Sequence, residues 1–353
     1  MRALLLLFAL SAVAAPAGRG ANTGQAPAQR DGLLDIHFID VEGGQATLMT
    51  SPSGESLLVD TGYVGFNDRD ADRIAAAVKQ AGLSQIDYLV VTHYHADHVG
   101  GVPALAARVP IRTFVDHGPT VEQGERPAKL FNDYVAVRAK GRHIVARPGD
   151  TLPIAGIDVR FVSAAGDVLT KALPGAGAPN PLCRDFRPMN PDPTENARSV
   201  GMVFVFGNFR MLDLGDLTWN KEQGLVCPNN LLGTVDVYLT SHHGLNQSGS
   251  AALVHAVRPR VAVMNNGATK GGMPSAWRII EDSPGLEDLW QLHYAVDGGA
   301  DHNVPGPFIA NLDETTAHGI HITAQRDGRF VVTNARNGQS RTYPPRRALA
   351  ARP

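Results

Sequence analysis

Cysteine is scarce in this chain of 353 residues: only Cys183 and Cys227 occur, in no Cys-x-x-Cys pair and at no spacing typical of a thiolate metal site. Thiolate ligation is therefore not expected. One disulfide is the most the chain can form, closing a loop of about 45 residues, and the sequence leaves open whether the two sulfurs meet. Long apolar runs are equally rare. The longest, Ala3 to Ala15, is itself too short to cross a bilayer, and no later run is longer. Charge of one sign is missing too: 32 Lys and Arg face 34 Asp and Glu, a net charge of −2. Such a balance gives no long-range field for nucleic acid or an anionic membrane, so no stable nucleic-acid partner is expected. There is no Gly-x-Ser-x-Gly elbow and no Walker A loop. Serine-nucleophile and P-loop chemistry thus have no carrier.

What is present begins with an address. Met1-Arg2 precede the thirteen-residue apolar run to Ala15, with small-residue cleavage options at Ala12-Val13-Ala14. This is the pattern of a signal peptide over residues 1–15, too short to span as an anchor. The mature protein is expected to be exported, periplasmic or extracellular, with no transmembrane segment. Residues 16–30 are rich in Ala, Gly, Pro and Gln and read as a flexible leader. The remainder divides into one domain over 31–338 and a Pro/Arg-rich tail over 339–353, in which Arg346 and Arg347 are expected to stay solvated. Nothing in the sequence sets the oligomeric state.

Short apolar runs over 33–39, 45–50 and 56–60, broken by Gly43-Gly44 and Pro52-Ser53-Gly54, read as an antiparallel meander. A helix follows over 68–82, with Ile74 and Val78 at helical spacing and acids in its first turn. Strands are expected at 86–91, 111–115, 143–146 and 157–162, with a helix at 127–140. Gly207-Asn208 joins 200–206 to 209–214 as a hairpin. Helices at 217–225, 250–257 and 275–283 then alternate with strands at 235–240 and 261–264, and strands at 320–324 and 330–333 close the chain. Taken alone, this is a mixed α/β layered domain.

The densest chemistry is Thr92-His93-Tyr94-His95-Ala96-Asp97-His98-Val99-Gly100-Gly101, directly after the apolar strand. Imidazole and carboxylate form the ligand set Zn²⁺ prefers, and four candidate ligands in six residues exceed the share one tetrahedral ion needs. Two ions are expected. The spacing resembles the His-x-His-x-Asp-His signature of the metallo-β-lactamase superfamily. That resemblance implies an αββα four-layer sandwich of two mixed sheets with helices outside.

It also implies roles for other segments. Asp60, at a strand end before Gly62, matches the aspartate that orients a ligand histidine. Asp216 in Gly215-Asp216 matches the bridging carboxylate, with Asp213 as the fallback. Of His242 and His243, His242 comes first off its strand and is assigned to metal, leaving His243 for substrate or the loop; the two could be exchanged. Many superfamily members carry a further histidine before the bridging aspartate. His117 and His143 are candidates, but neither has the expected Gly-rich turn. The segment Glu195-Asn196-Ala197-Arg198-Ser199 resembles instead the hydrolase domain of ComEC-type competence proteins and the phosphorylcholine esterases. There Asn196 contacts substrate or water and Ser199 supports the metal ligands.

The implied assignment gives one zinc His93 and His95 and the other Asp97, His98 and His242, with Asp216 bridging. Asp97, Asn196 and His243 take the catalytic roles. The expected activity is a secreted binuclear zinc hydrolase using metal-bound hydroxide on a phosphodiester-type substrate or another small molecule. A cyclic amide or lactone is the alternative electrophile, and a non-catalytic zinc scaffold the third reading. The Pro-rich stretch 174–193 is either a substrate-shaping lid or a surface insertion, and Arg184 and Arg187 within it could hold an anion.

Overall fold

The computed structural model describes residues 32–346. Residues 1–31, which hold the expected signal peptide and the whole leader, and the last seven residues, Arg347 included, lie outside the described residues. Two sheets of nine strands each, counted among the described residues, make up the body. The first runs in the order Ser340–Tyr343, Phe330–Asn334, Ile320–Ala324, Leu34–Phe38, Thr47–Thr50, Ser56–Val59, Ile86–Val90, Ile111–Asp116 and Arg142–Val145. The second runs Ile309–Asn311, Asp288–His293, Val261–Met264, Val237–Leu239, Phe209–Asp213, Gly201–Phe206, Asp158–Ala164 and Thr151–Leu152, with Asp167–Val168 added beside Asp158–Ala164.

Alternation along these strands builds the layers. In Ile86–Val90, Tyr88 and Val90 face a core shared with the second sheet, which supplies Phe161, Phe204, Met211 and Val263. Leu89 and Val91 face the other way, against Ala71, Ile74 and Val78 of the helix Arg69–Gln80. The second sheet repeats the plan: Leu212, Tyr238 and Ala262 pack on the helices Ala251–Val257 and Pro274–Glu281. Three cores therefore separate four layers, helix, sheet, sheet and helix. The architecture is the αββα sandwich.

Most elements fall within two residues of their sequence-read bounds, but three strands of three or more residues escape that reading. Asp288–His293 buries Gln291 and His293 as completely as its apolar neighbours, because both carry out hydrogen bonding between elements. His293 Nε2 donates to Asp40 Oδ1 across 2.7 Å, tying the second sheet to the first. Ile309–Asn311 is too short to show periodicity. Ser340–Tyr343 lies in the stretch read as tail, yet it pairs antiparallel with Phe330–Asn334 and buries Tyr343. The domain thus runs past 338. Arg346 is likewise not a free solvated charge, since its guanidinium donates to Asp236 Oδ1 at 2.9 Å.

Ser56–Val59 and Ile86–Val90 are parallel, as are Phe209–Asp213 and Val237–Leu239. All four strands therefore discharge at matching carboxyl ends, where α/β sheets form their clefts. Thr92 joins the two sheets there. Its N–H and hydroxyl donate to Asp60, and its carbonyl accepts from Val200 N at 2.9 Å.

Candidate metal centre

Asp60 ends its strand in a left-handed conformation, φ 60°. One oxygen accepts the Thr92 N–H at 2.7 Å; the other accepts the Thr92 hydroxyl and meets His98 Nδ1, each at 2.7 Å. That contact fixes the His98 ring and directs its Nε2 into the centre. The chain can then coil through the short helix Ala96–Val99 because Gly101 presses on the Thr61 carbonyl, where an added Cβ would sit 2.1 Å from the oxygen.

Asp97, His98, Asp216 and His243 offer ligand atoms that all lie within 4.8 Å of one another, and all four residues are buried. His98 Nε2 lies 3.2 Å from Asp97 Oδ2 and 3.2 Å from Asp216 Oδ2. His243 Nε2 lies 3.3 Å from Asp97 Oδ2 and 3.4 Å from Asp216 Oδ1. Beside this group, His93 Nε2 stands 3.0 Å from His95 Nδ1 and 3.8 Å from Asp216 Oδ2. Asp216 sits between the two sets, its oxygens turned to both. Gly215 makes that possible: its φ of 54° aims the following carboxylate inward, and a Cβ there would strike Thr92.

Of the two late histidines, which the sequence leaves exchangeable, the second lies with the other candidate ligands. His243, not His242, joins Asp97 and His98. Both residues adopt left-handed backbone, φ 54° and 56°, which splays their rings 69° apart. His242 Nε2 instead reaches Asp216 Oδ2 at 3.4 Å and Asn196 Nδ2 at 3.5 Å, and its Nδ1 meets the Ser248 hydroxyl. Consecutive non-glycine residues in this region cost on the order of 1–3 kcal/mol each, a strain the surrounding bonds must hold.

Other candidates separate cleanly. Asp213 turns away, accepting from Gln45 Nε2 and Gly215 N, and burial pushes its carboxyl up to about 7. His117 Nε2 binds Glu195 and His143 binds Asp116, so neither completes a ligand set. Ser199 Oγ stands 3.5 Å from His93 Nδ1, opposite the ring edge facing the centre. The Pro-rich stretch is fixed to the body, because Cys183 and Cys227 are joined in a disulfide. Arg184 is exposed beside Asp185, and Arg187 donates to the carbonyls of Arg184 and Phe186; neither faces the centre.

Three participants were not read from the sequence. Glu195 is fully buried; its carboxylate accepts from His117, Thr120, the Val121 N–H and, at 3.3 Å, the Tyr94 N–H. It therefore clamps the His93-Tyr94-His95 turn next to Asn196. Glu122 Oε1 lies 3.1 Å from His95 Nε2, fixing that ring. Lys270 pairs with Asp97 and donates to Tyr63 Oη at 3.1 Å. Only Glu195 carried a sequence signal, its place beside Asn196.

Burial pushes the His93 imidazole well below its usual range, and neighbouring His98 adds to that. Burial opposes charge on His98 as well, but Asp216, Asp97 and Asp60 outweigh it and hold a proton there. Asp97 and Asp216 stay ionised despite burial, chiefly through His98. Too few protons serve these facing lone pairs, and Asp216 Oδ1 is left without a hydrogen bond. The donor set thus fits divalent cations, with bound metal taking the place of the His98 proton.

Residues 39–179 match the profile of the metallo-beta-lactamase superfamily. The match covers residues 39–179 and leaves the second half of the chain outside it. The matched stretch contains Asp60 and the His93–His98 cluster, while Asp216 and His243 lie beyond it and are brought alongside by the fold. The chain is 34% identical over 107 residues to a hydroxyacylglutathione hydrolase of Stenotrophomonas maltophilia, covering 30% of this chain and 37% of that one. It is 25% identical over 229 residues to the competence protein ComA of Neisseria gonorrhoeae, covering 64% of this chain and 26% of that one. The alignments thus span about a third of the one relative's length and a quarter of the other's. Among solved structures, the metallo-beta-lactamase fold protein YhfI of Bacillus subtilis overlaps 73% of this chain and 95% of its own, at 11% identity and a TM-score of 0.45.

Proposed function

We propose that this protein is an exported binuclear zinc hydrolase acting on a phosphodiester. The observation that carries the reading is the convergence of His93, His95, Asp97, His98, Asp216 and His243 on one point at the sheets' carboxyl ends. His93 and His95 would hold one ion, Asp97, His98 and His243 the other, and Asp216 both. When bound, such a pair lowers the pKa of water and neutralises developing oxyanion charge.

The chain's own groups do the rest. Asp60 and Glu122 hold the rings of His98 and His95 in register. Asn196 and His242, side by side at the edge of the centre, are placed to hydrogen-bond a substrate oxygen. Toward such an oxygen the Asn196 Nδ2 amide donates, while Oδ1, buried without a partner, accepts only from a hydroxyl or a water. Glu195 keeps that edge rigid. Charge supports a phosphodiester over a neutral lactam or lactone: two divalent ions would face Asp97 and Asp216, with Asp60 and Glu122 behind the histidine rings, and Lys270 would add a further cation. An anion fits that surplus better than a carbonyl does. The disulfide supports export, since such bonds persist in oxidising compartments.

The test is metal analysis of the purified mature protein, paired with bis(p-nitrophenyl) phosphate, a chromogenic cephalosporin and a lactone assayed side by side. About two zinc ions per chain and phosphodiester cleavage above the other two are expected. Cephalosporin or lactone turnover without phosphodiester cleavage would overturn the substrate class.

A further inference from the structure

Beside His95 and Asn196 opens a cleft of about 340 Å³. One wall comes from the Pro-rich stretch, with Met189, Asn190 and Asp192; the other comes from the start of the helix Trp219–Val226 and from Gln247. This wall is stapled in place. The Trp219 indole N–H donates to the Arg187 carbonyl at 3.0 Å, and the Asn220 amide both accepts from and donates to the Met189 backbone, at 2.9 and 2.8 Å. The Cys183–Cys227 bridge joins the same stretch to the residue just past the end of that helix. A cleft fixed at three points is formed before anything binds, which lowers the ordering cost of binding.

Its chemistry is one-sided. The lining offers neutral amides, an indole and a thioether, and the carboxylate of Asp192; among the described residues no Lys or Arg lines it. Asp192 Oδ1 accepts the Thr194 N–H, which holds that carboxylate at the wall. A second phosphate placed at the Asp192 wall, away from the His95 end, would meet a like charge and no Lys or Arg.

We propose that this cleft is the specificity subsite of the enzyme. It takes an uncharged organic group of the phosphodiester, with a planar or apolar face against Trp219 and Met189 and hydrogen-bonding edges toward Asn190 and Gln247, and it rejects a polyanionic chain. The inference rests on the phosphodiesterase reading. It adds that the substrate is a small diester with one neutral arm, of the kind a nucleoside or glycosyl group provides, and not a long nucleic acid.

The experiment uses a matched pair on the zinc-loaded protein: the p-nitrophenyl ester of thymidine 5′-phosphate, and the same ester carrying an extra 3′-phosphate. The leaving group is constant and only the charge of the distal arm changes. The neutral-arm ester is expected to be favoured in kcat/KM by at least about tenfold, carried by KM, from the repulsion at a partly screened carboxylate. The double variant Asn190→Lys with Gln247→Lys should shrink or reverse that ratio. Calorimetric binding of thymidine 5′-phosphate against thymidine 3′,5′-bisphosphate should show the same preference and the same reversal, independently of turnover. Equal kcat/KM for the pair, equal binding of the two products, or a ratio indifferent to the added lysines would overturn the subsite while leaving the hydrolase intact. No turnover of either ester, with the binding preference retained, would overturn the phosphodiesterase reading and leave the cleft as a binding site for the neutral arm.

Discussion

The Nε2 atoms of His98 and His243 face each other across 3.2 Å, from segments 145 residues apart. Two imidazole nitrogens at that distance share at most one proton. Because the Nδ1 of His98 already meets Asp60, its Nε2 is committed to the centre; His243 Nδ1 has no hydrogen-bond partner, and its Nε2 faces only that nitrogen and the carboxylates of Asp97 and Asp216. A cation resolves that pairing.

His243→Ala should therefore leave the protein with about one zinc instead of two. His242→Ala should retain both ions and lose most turnover, since His242 lies at the substrate edge. Elemental analysis of the two purified variants decides between them, and the opposite pattern would restore the assignment expected from the sequence.

Asp60→Asn keeps the shape of the side chain but removes the charge that holds His98. Metal affinity should fall by about 10–100-fold, as for other partners that orient a ligand ring. Competition with a chromogenic chelator measures this; unchanged affinity would mean that Thr92 alone orients the ring.

Glu222 gives a pH signature away from the centre. It is buried and accepts the N–H groups of Gly249 and Ser250, and burial pushes its carboxyl up to about 7. The folded state thus holds a proton the unfolded chain releases at lower pH. Its contribution is full below the unfolded value and is lost as pH rises through about 7. The loss is on the order of 3 kcal/mol. Urea midpoints of metal-free protein should decline between pH 5 and 8, and Glu222→Gln should flatten that slope while lowering stability at pH 5.

Cys183 and Cys227 are 44 residues apart in sequence. Replacing both with serine should cost roughly 3–4 kcal/mol by loss of the unfolded-state constraint. It should also raise KM more than it lowers kcat, because the bridge holds a cleft wall and touches no reacting group. A pure stability loss with unchanged KM, read from melting and steady-state kinetics, would limit the bridge to a structural role.

Much of this centre is legible in the sequence because it is local. His93, His95, Asp97 and His98 fall within one extended turn and one helical turn, so their spacing alone brings them together. Asp60 and Asp216 are legible for a related reason: each follows an apolar strand, and parallel strands end together. The choice between His242 and His243 is not legible, because it depends on two consecutive left-handed residues that no propensity favours. Nor is the clamp by Glu195, whose partners lie 74 to 101 residues away and are joined only by the fold. The missed strand Asp288–His293 shows the same limit, since its buried Gln291 and His293 look polar until their partners are in place.

The last strand makes the end of the chain a clasp. Tyr343 belongs to the first sheet, yet its hydroxyl donates to Asp288 Oδ2 at 2.5 Å and receives the Trp290 indole N–H at 3.3 Å, both from the second. Cutting the chain where its composition turns to proline and arginine would open this clasp and bare the whole edge of Phe330–Asn334. Unpaired edges of that kind recruit other strands. A shortened expression product ending near residue 338 should therefore associate and precipitate, with its metal-binding residues untouched.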